Sequence, residues 1–225
     1  MSDFTVELLF GSKEQASPIK SEAVRYLGYR NSLPDDITDS LINKCSMELS
    51  DVLSPKCCYV RSSVSFPEQD LTDFGFGNIQ SHALYTHLQG CNEVILMAAT
   101  IGIAADRLIA KYGRFSPAKS VIIDALASSA IEHWCDNAEL AITKNDKLHC
   151  SRFSAGYGDF PLSYQTHFIR YLDTSRKIGV TLSDSLLMTP TKSVTAVIGI
   201  GANSRTCSNK CMTCENVHCI YRNIT

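Results

Sequence analysis

Hydrophobic and polar residues alternate along the first third of this chain with two different periods. Over 35–53 the apolar side chains recur every three to four positions, and Pro34, Asp35 and Asp36 suit the first turn of a helix. Over 57–66 the apolar side chains recur at every second position, as in a half-buried strand. A helix followed by a strand is therefore predicted here.

The rest of the chain adds elements of both kinds. Short apolar or β-branched runs predict strands over 93–100 and 193–200. A broad apolar stripe predicts the longest helix over 117–143, and a shorter helix is expected over 163–171. Because the predicted strands and helices do not alternate strictly as βαβ units, the sequence favours an α+β fold with an antiparallel sheet and packed helices.

Composition restricts the partners of the chain. It has 225 residues and a formal net charge of −2, from 21 basic and 23 acidic residues, with no basic run. General binding to nucleic acid or to an anionic membrane is therefore disfavoured. No apolar stretch approaches the about 20 residues that span a bilayer, and the first residues lack a signal-peptide pattern, so we expect a cytoplasmic protein.

The cysteines divide the chain into two parts. Residues 1–201 are long enough to form one domain with a substantial core, and 202–225 form a cysteine-rich tail. Thiolates are soft ligands, so four close thiols can bind zinc or an iron–sulfur cluster. A tail of reactive thiols is the alternative. The predicted metal ligands are Cys207, Cys211, Cys214 and Cys219. The cysteines on apolar faces, which we expect in the core, are Cys45, Cys58, Cys91 and Cys135.

Residues 152–161, Arg-Phe-Ser-Ala-Gly-Tyr-Gly-Asp-Phe-Pro, are the strongest candidate for a ligand-binding segment. Arg152 offers a planar fork that suits a carboxylate. Gly156 and Gly158 let the backbone approach a ligand closely, and Tyr157 can cover a flat ring. The alternative is a surface turn in which Tyr157 only packs.

Four segments together carry a resemblance to a known family. They are Arg-Tyr-Leu-Gly-Tyr at 25–29, Ala-Ala-Thr-Ile-Gly at 98–102, Arg-Phe-Ser-Ala-Gly-Tyr-Gly-Asp-Phe-Pro-Leu at 152–162 and Lys-Ser-Val-Thr-Ala-Val-Ile-Gly at 192–199. This set of segments is similar to the activation domain of cobalamin-dependent methionine synthase, in its stand-alone, mostly anaerobic-bacterial form. The resemblance covers nearly the whole chain and implies that domain's fold.

The resemblance also implies roles for individual residues. Arg152 is expected to meet the carboxylate of S-adenosylmethionine, and the backbone of Ser154 and Gly156 to contact the rest of that ligand. Tyr157 takes the position that lies close to the corrin of a partner. Glu132 matches a ligand-binding helix carboxylate, although an acidic face opposite an apolar stripe is also typical of a plain solvated surface.

The implied function is that of a module that binds S-adenosylmethionine and supports reductive remethylation of a corrinoid. The cobalamin would belong to a partner chain of a split methionine synthase, a methyltransferase, and the reductant would be a flavodoxin or a ferredoxin. The sequence contains no Walker loop and no nucleophile elbow, in keeping with a positioning role.

Two alternatives use the cysteine tail. In the first, the chain is a redox adaptor whose metal or iron–sulfur cluster delivers electrons to a corrinoid methyltransferase. In the second, the tail is a nucleic-acid-binding zinc ribbon, which the few basic residues around it disfavour.

Overall fold

The computed structural model describes residues 5–29, 32–75, 77–146 and 148–201, which contain strands and helices in mixed order. The strands are β1 (Glu7–Phe10), β2 (Lys56–Ser63), β3 (Leu71–Asp73), β4 (Asn78–Gln80), β5 (Glu93–Thr100), β6 (Thr181–Leu182), β7 (Met188–Thr189) and β8 (Ser193–Ile200). The helices are α1 (Lys20–Tyr26), α2 (Asp36–Val52), α3 (His82–Leu88), α4 (Ile103–Phe115), α5 (Pro117–Thr143), α6 (Gln165–Tyr171) and α7 (Thr174–Lys177).

All six predicted elements are present, and β5, α5 and β8 have the predicted bounds. β2 ends at Ser63, earlier than predicted, because β5, its partner in the sheet, begins opposite this residue. α6 begins later than predicted because Leu162–Tyr164 form a separate 3₁₀ turn. The α+β fold class is confirmed, whereas strand β1 and helices α1 and α4 are among the elements that were not predicted.

The main sheet has four antiparallel strands in the order β1-β2-β5-β8. β5 is one of the two inner strands, and its side chains are buried on both faces of the sheet. Ile95 and Met97 point to one core, while Val94 and Leu96 point to the other. Burial on both sides explains why this segment is a continuous apolar run instead of an alternating one.

The two faces of the sheet carry different layers. On the first face, α2 and α5 cover the sheet with buried side chains such as Leu49 and Trp134. On the second face, α3, α6 and the loop after α5 close the core, and Phe160 of that loop lies fully inside it beside Phe168. The candidate ligand loop is thus anchored in the second core by Phe160, while residues 156–159 remain exposed.

Helix α5 organises the amino-terminal segment through a polar stripe. The Ser129 hydroxyl accepts a hydrogen bond from Ile19 N at 2.8 Å and lies 3.1 Å from the Ile19 carbonyl. One and two turns further on, His133 bonds to the Ser17 carbonyl and Asn137 to the Gln15 carbonyl, both at 2.8 Å. Within the described ranges no helix has the length and apolar run needed to cross a membrane.

The chain after α5 runs along the outer edge of β8. His149 forms a bridge with Ile200, and Phe153 exchanges two backbone hydrogen bonds of 2.8 Å with Val197. A bare sheet edge presents unpaired backbone groups, and this segment pairs some of them. The residues between the two bridges, Arg152 among them, are thereby held in a fixed register against the sheet.

The contact between Gly11 and Trp134 gives a stability prediction. A Cβ added at Gly11 would lie 2.3 Å from the Trp134 ring, which is buried and donates its Nε1–H to the Lys56 carbonyl. We expect Gly11→Ala to destabilise the fold by about 1–3 kcal/mol in denaturant unfolding, because the rigid ring cannot yield without moving its neighbours.

Gly113→Ala provides the matched control. Gly113 lies in α4, and the nearest atom to an added Cβ is the Ser120 hydroxyl at 3.7 Å. Since alanine has a higher helix propensity than glycine, this change should leave the free energy of unfolding unchanged or raise it by up to about 1 kcal/mol. Equal destabilisation by both substitutions would contradict the assigned role of the Gly11 contact.

Candidate functional site

Arg152, the first residue of the predicted ligand loop, is held by three carboxylates of α5. Its side chain is only 8% exposed. Nη1 donates to Glu139 at 2.5 Å, while Nη2 donates to Asp136 at 2.7 Å and lies 3.4 Å from Glu132. The guanidinium therefore joins the start of the loop to the long helix.

The acidic face of α5 is consequently not a plain solvated surface. Glu139 is only 14% exposed, whereas Glu132 and Asp136 remain 54% and 62% exposed. Burial alone would lower the pKa of Arg152, but the electrostatic interaction with Cys135, the hydrogen bond to Asp136 and the charge of Glu139 together outweigh burial and raise it. Three carboxylates around one guanidinium leave excess negative charge on the open side of the cluster.

The loop after Arg152 is closed by its own backbone. Tyr157 N donates to the Ser154 carbonyl at 3.3 Å, and Phe160 N donates to the Tyr157 carbonyl at 3.0 Å. Gly156, at φ +96°, donates its N–H to the Phe160 carbonyl at 2.8 Å. The predicted backbone contacts Ser154 and Gly156 thus already hold the turn, so ligand contacts there must use their remaining polar groups.

Asp159 fixes the far end of the loop to the start of α3. Its carboxylate accepts from the Ser81 hydroxyl at 2.7 Å and from the backbone N–H groups of His82 and Ala83 at 2.8 and 3.0 Å. The hydrogen bond from Ser81, followed by those from the backbone, lowers the pKa of Asp159 to about 2. Gly158 passes so close that an added Cβ would lie 2.8 Å from Ala83.

The loop itself contributes the aromatic side chains Phe153, Tyr157 and Phe160. The Phe153 ring stacks on His87 with a centroid distance of 4.8 Å and lies 6.3 Å from both Phe160 and Tyr157. Phe160 is buried, but Tyr157 is 61% exposed. The loop therefore keeps one aromatic ring in its core and turns another outwards.

A cleft of about 420 Å³ lies on the other side of Glu132, where α1, α5 and the start of β8 meet. Its volume falls within the about 300–1,000 Å³ of small-molecule sites. The cleft is lined by Tyr26, Leu27, Val121, Asp124, Ala125, Ser128, Ile131, Glu132, Thr191, Lys192, Ser193 and Val194. Glu132 belongs both to this lining and to the Arg152 cluster, so it connects the two.

The cleft contains charges of both signs and one aromatic ring. Lys192 Nζ lies 2.8 Å from Asp124 and 2.9 Å from the Ser128 hydroxyl. Burial, followed by the charge of Glu132, raises the pKa of Tyr26, which keeps its phenol protonated. Such a lining suits a ligand that has a positive group, a negative group and a flat ring.

A second depression, of about 530 Å³, lies between α6 and the β6–β7 hairpin. Thr166, Arg170 and Asp184 contribute to its lining, but none of the predicted site residues does. We therefore place the candidate site at the Arg152 cluster and the adjoining cleft.

Several residues of the site were missed at the sequence level. Asp136 and Glu139 were visible as an acidic stripe with Glu132, but only the fold brings Arg152 against it. Tyr26 and Lys192 belong to the segments that carry the family resemblance, so the signal was present without a role attached. Asp159 lies inside the decapeptide itself, and no sequence pattern pointed to its contact with α3.

The predicted metal site cannot be placed, because the tail cysteines lie outside the described residues. Among the residues that are described, no group of three or more histidine, cysteine or acidic side chains is arranged to hold a metal ion. The cysteines expected in the core, Cys45, Cys58, Cys91 and Cys135, are confirmed as buried thiols.

Comparison with known proteins shows a likeness in fold to a solved structure. No family model matches the chain, and no curated protein matches its sequence. A solved structure of the MetH reactivation domain bound to AdoHcy superimposes with a TM-score of 0.66 and 14% identity, covering 91% of this chain and 81% of that one. At this identity the likeness shows the fold alone, and the fold implied by the resemblance is confirmed.

The contacts of Asp159 give a pH prediction. The folded pKa of about 2 lies below the unfolded value of about 3.9, so the carboxylate stabilises the fold above about pH 4 and loses this effect as the pH falls towards 2. Unfolding of the wild type and of Asp159→Ala should therefore differ most above pH 4, with the difference shrinking in acid.

Asp184→Ala, which removes a carboxylate from the β6–β7 turn, is the control for this measurement. A difference between wild type and Asp159→Ala that stays constant from pH 5 to about pH 2 would mean that Asp159 does not act through its charge.

Proposed function

We propose that this chain binds S-adenosylmethionine at the Arg152 cluster and the adjoining cleft, and so supports reductive remethylation of a corrinoid held by a partner protein. The fold resembles that of the MetH reactivation domain, which was solved with AdoHcy bound. The observation that carries the proposal is the position of Glu132, which both lines the cleft and reaches the Arg152 guanidinium.

The charges of the site match those of the ligand. S-adenosylmethionine carries a carboxylate, an ammonium group and a sulfonium centre, together with the flat adenine. Arg152 suits the carboxylate, and the exposed oxygens of Glu132 and Asp136 suit the two cationic groups. Tyr26 provides an aromatic wall in the cleft, against which adenine can pack.

Binding requires an exchange of partners at Arg152. Glu139 is nearly buried and stays on Nη1, where it keeps the guanidinium in place. Asp136 is mostly exposed, so its bond to Nη2 is the one that the ligand carboxylate can replace at least cost. In the absence of ligand the cluster therefore keeps the guanidinium in position. The bond between Nη2 and Asp136 is the one that is exchanged when the ligand binds.

The exposed part of the loop is the proposed contact with the corrinoid partner. Tyr157 is exposed, and Leu162 is also partly open on the same segment. An aromatic and an aliphatic side chain together suit the flat, largely apolar face of a corrin ring. The partner would be the cobalamin-binding chain of a split methionine synthase or a related methyltransferase.

The chemistry would come from the ligand and the partner. When bound, the partner's cobalamin would supply a reducible cobalt as the methyl acceptor, a flavodoxin or ferredoxin would supply the electron, and S-adenosylmethionine would supply the methyl group and be released as S-adenosylhomocysteine. The residues of this chain bind and orient the sulfonium and exclude water. Such a role needs no acid–base dyad.

The role of Arg152 is tested by Arg152→Lys. Lysine keeps a positive charge among the three carboxylates, so the fold should persist, but it cannot present the planar fork. We expect calorimetry to show that affinity for S-adenosylmethionine falls about ten- to hundredfold, the range for losing a hydrogen bond between charged groups.

Asp51→Asn, at an exposed position of α2 that belongs neither to the lining of the cleft nor to the Arg152 cluster, is the matched control and should leave the affinity unchanged. A folded Arg152→Lys protein that binds as tightly as the wild type would exclude Arg152 as the carboxylate site. Absence of binding by the wild type itself would refute the proposed function.

A further inference from the structure

Two thiols outside the proposed ligand site lie in direct contact. Cys91 follows α3, Cys150 precedes the Arg152 loop, and both side chains are buried. Their Sγ atoms are 3.8 Å apart. They come from segments far apart in the sequence, so their meeting is a property of the fold and not of a local motif.

The pair lies at the base of the Arg152 loop. Cys150 N donates to the Gly199 carbonyl at 2.8 Å, and its thiol lies 3.4 Å from the His87 carbonyl. His87 in turn bonds through Nε2 to the Ser151 carbonyl at 2.8 Å, next to Arg152. Only Ser151 separates Cys150 from Arg152 along the chain, so a change at the sulfurs acts close to the Arg152 cluster.

Gly199 of β8 makes room for both sulfurs. A Cβ added at this position would lie 2.6 Å from Cys91 Sγ and 3.4 Å from Cys150 Sγ. Because glycine has no side chain, both sulfurs fit against the sheet beside Gly199. A disulfide needs a sulfur separation of about 2.05 Å, so the two atoms have to approach by roughly 1.8 Å.

We propose that Cys91 and Cys150 form a reversible disulfide that fixes the base of the Arg152 loop to the end of α3. With a hydroperoxide as oxidant, one thiolate attacks the peroxide oxygen and becomes a sulfenic acid, and the peroxide leaves as water or an alcohol. The second thiol then displaces the sulfenic hydroxyl as water and forms the S–S bond. A dithiol reductant returns both thiols.

The contact between the two thiols favours ionisation of one sulfur of the pair. The hydrogen bond from Cys150 lowers the pKa of Cys91, whereas the same contact raises the pKa of Cys150. Cys58, in the same core, differs because burial raises its pKa to about 12. Cys58 is therefore a matched buried thiol that should stay reduced.

The disulfide would restrain the loop from both ends. Asp159 already holds the far end of the loop to the start of α3, and the S–S bond would hold the near end to the turn that follows α3. A loop fixed in this way can rearrange less, so oxidation would oppose the partner exchange proposed at Arg152. The bond itself forms whether or not the site binds S-adenosylmethionine.

The sequence makes the bond straightforward to map in the full-length protein. Trypsin cleavage after Arg61 and Arg107 releases residues 62–107, with Cys91 as their single cysteine. Cleavage after Lys147 and Arg152 releases residues 148–152, with Cys150 alone. The reduced protein is treated with hydrogen peroxide, unfolded in an alkylating agent, digested and analysed by mass spectrometry.

We expect loss of alkylation at both cysteines and a linked peptide that disappears on treatment with dithiothreitol. The linked peptide should persist in Cys58→Ser and be absent from Cys91→Ser. We also expect slower hydrogen exchange over residues 153–160 in the oxidised protein. Retention of both thiols after peroxide, or their pairing with other cysteines, would overturn the proposal, and unchanged exchange would overturn the restraint on the loop.

These measurements contain no S-adenosylmethionine and no corrinoid partner. Failure of the proposed function therefore leaves the disulfide result intact, and absence of the disulfide leaves the ligand titrations of Arg152→Lys intact. Because serine at a buried position can disturb the fold, peptide mapping of the wild type alone decides whether the bond forms.

Discussion

The ion cluster between Arg152 and α5 is the interaction on which the geometry of the candidate site depends. A guanidinium removed from water is costly unless its charge and its N–H groups find partners, and three carboxylates supply them. Glu139 is the least exposed of the three carboxylates and anchors the guanidinium, while Glu132 and Asp136 stay open to solvent. The same contacts that stabilise the loop therefore leave an accessible, negatively charged rim.

The position of this cluster follows from the sheet and from α5 together. The segment that carries Arg152 bonds to the edge of β8, and Phe160 enters the core on the second face of the sheet. Helix α5 packs on the first face and holds the amino-terminal segment through Ser129. One long helix thus positions both the cleft and the arginine, and Glu132 lies where they meet.

The sequence predicted the elements whose periodicity is strong and the segment whose residue types suit a ligand. β5, α5 and β8 could be bounded because their apolar runs end at turn-forming residues. The contacts of Arg152 could not be predicted, because they join residues on two elements through the path of the chain along β8. The contact between Cys91 and Cys150 is equally long-range, and Cys150 carries no pattern that singles it out.

A crystal structure of the protein with S-adenosylmethionine or S-adenosylhomocysteine is the most direct measurement of ligand binding at this site. We expect the ligand carboxylate on Nη2 of Arg152 in place of Asp136, Glu139 still on Nη1, and the remainder of the ligand beside Glu132 in the cleft. A ligand bound elsewhere, with all three carboxylates still on Arg152, would contradict the assignment of this site.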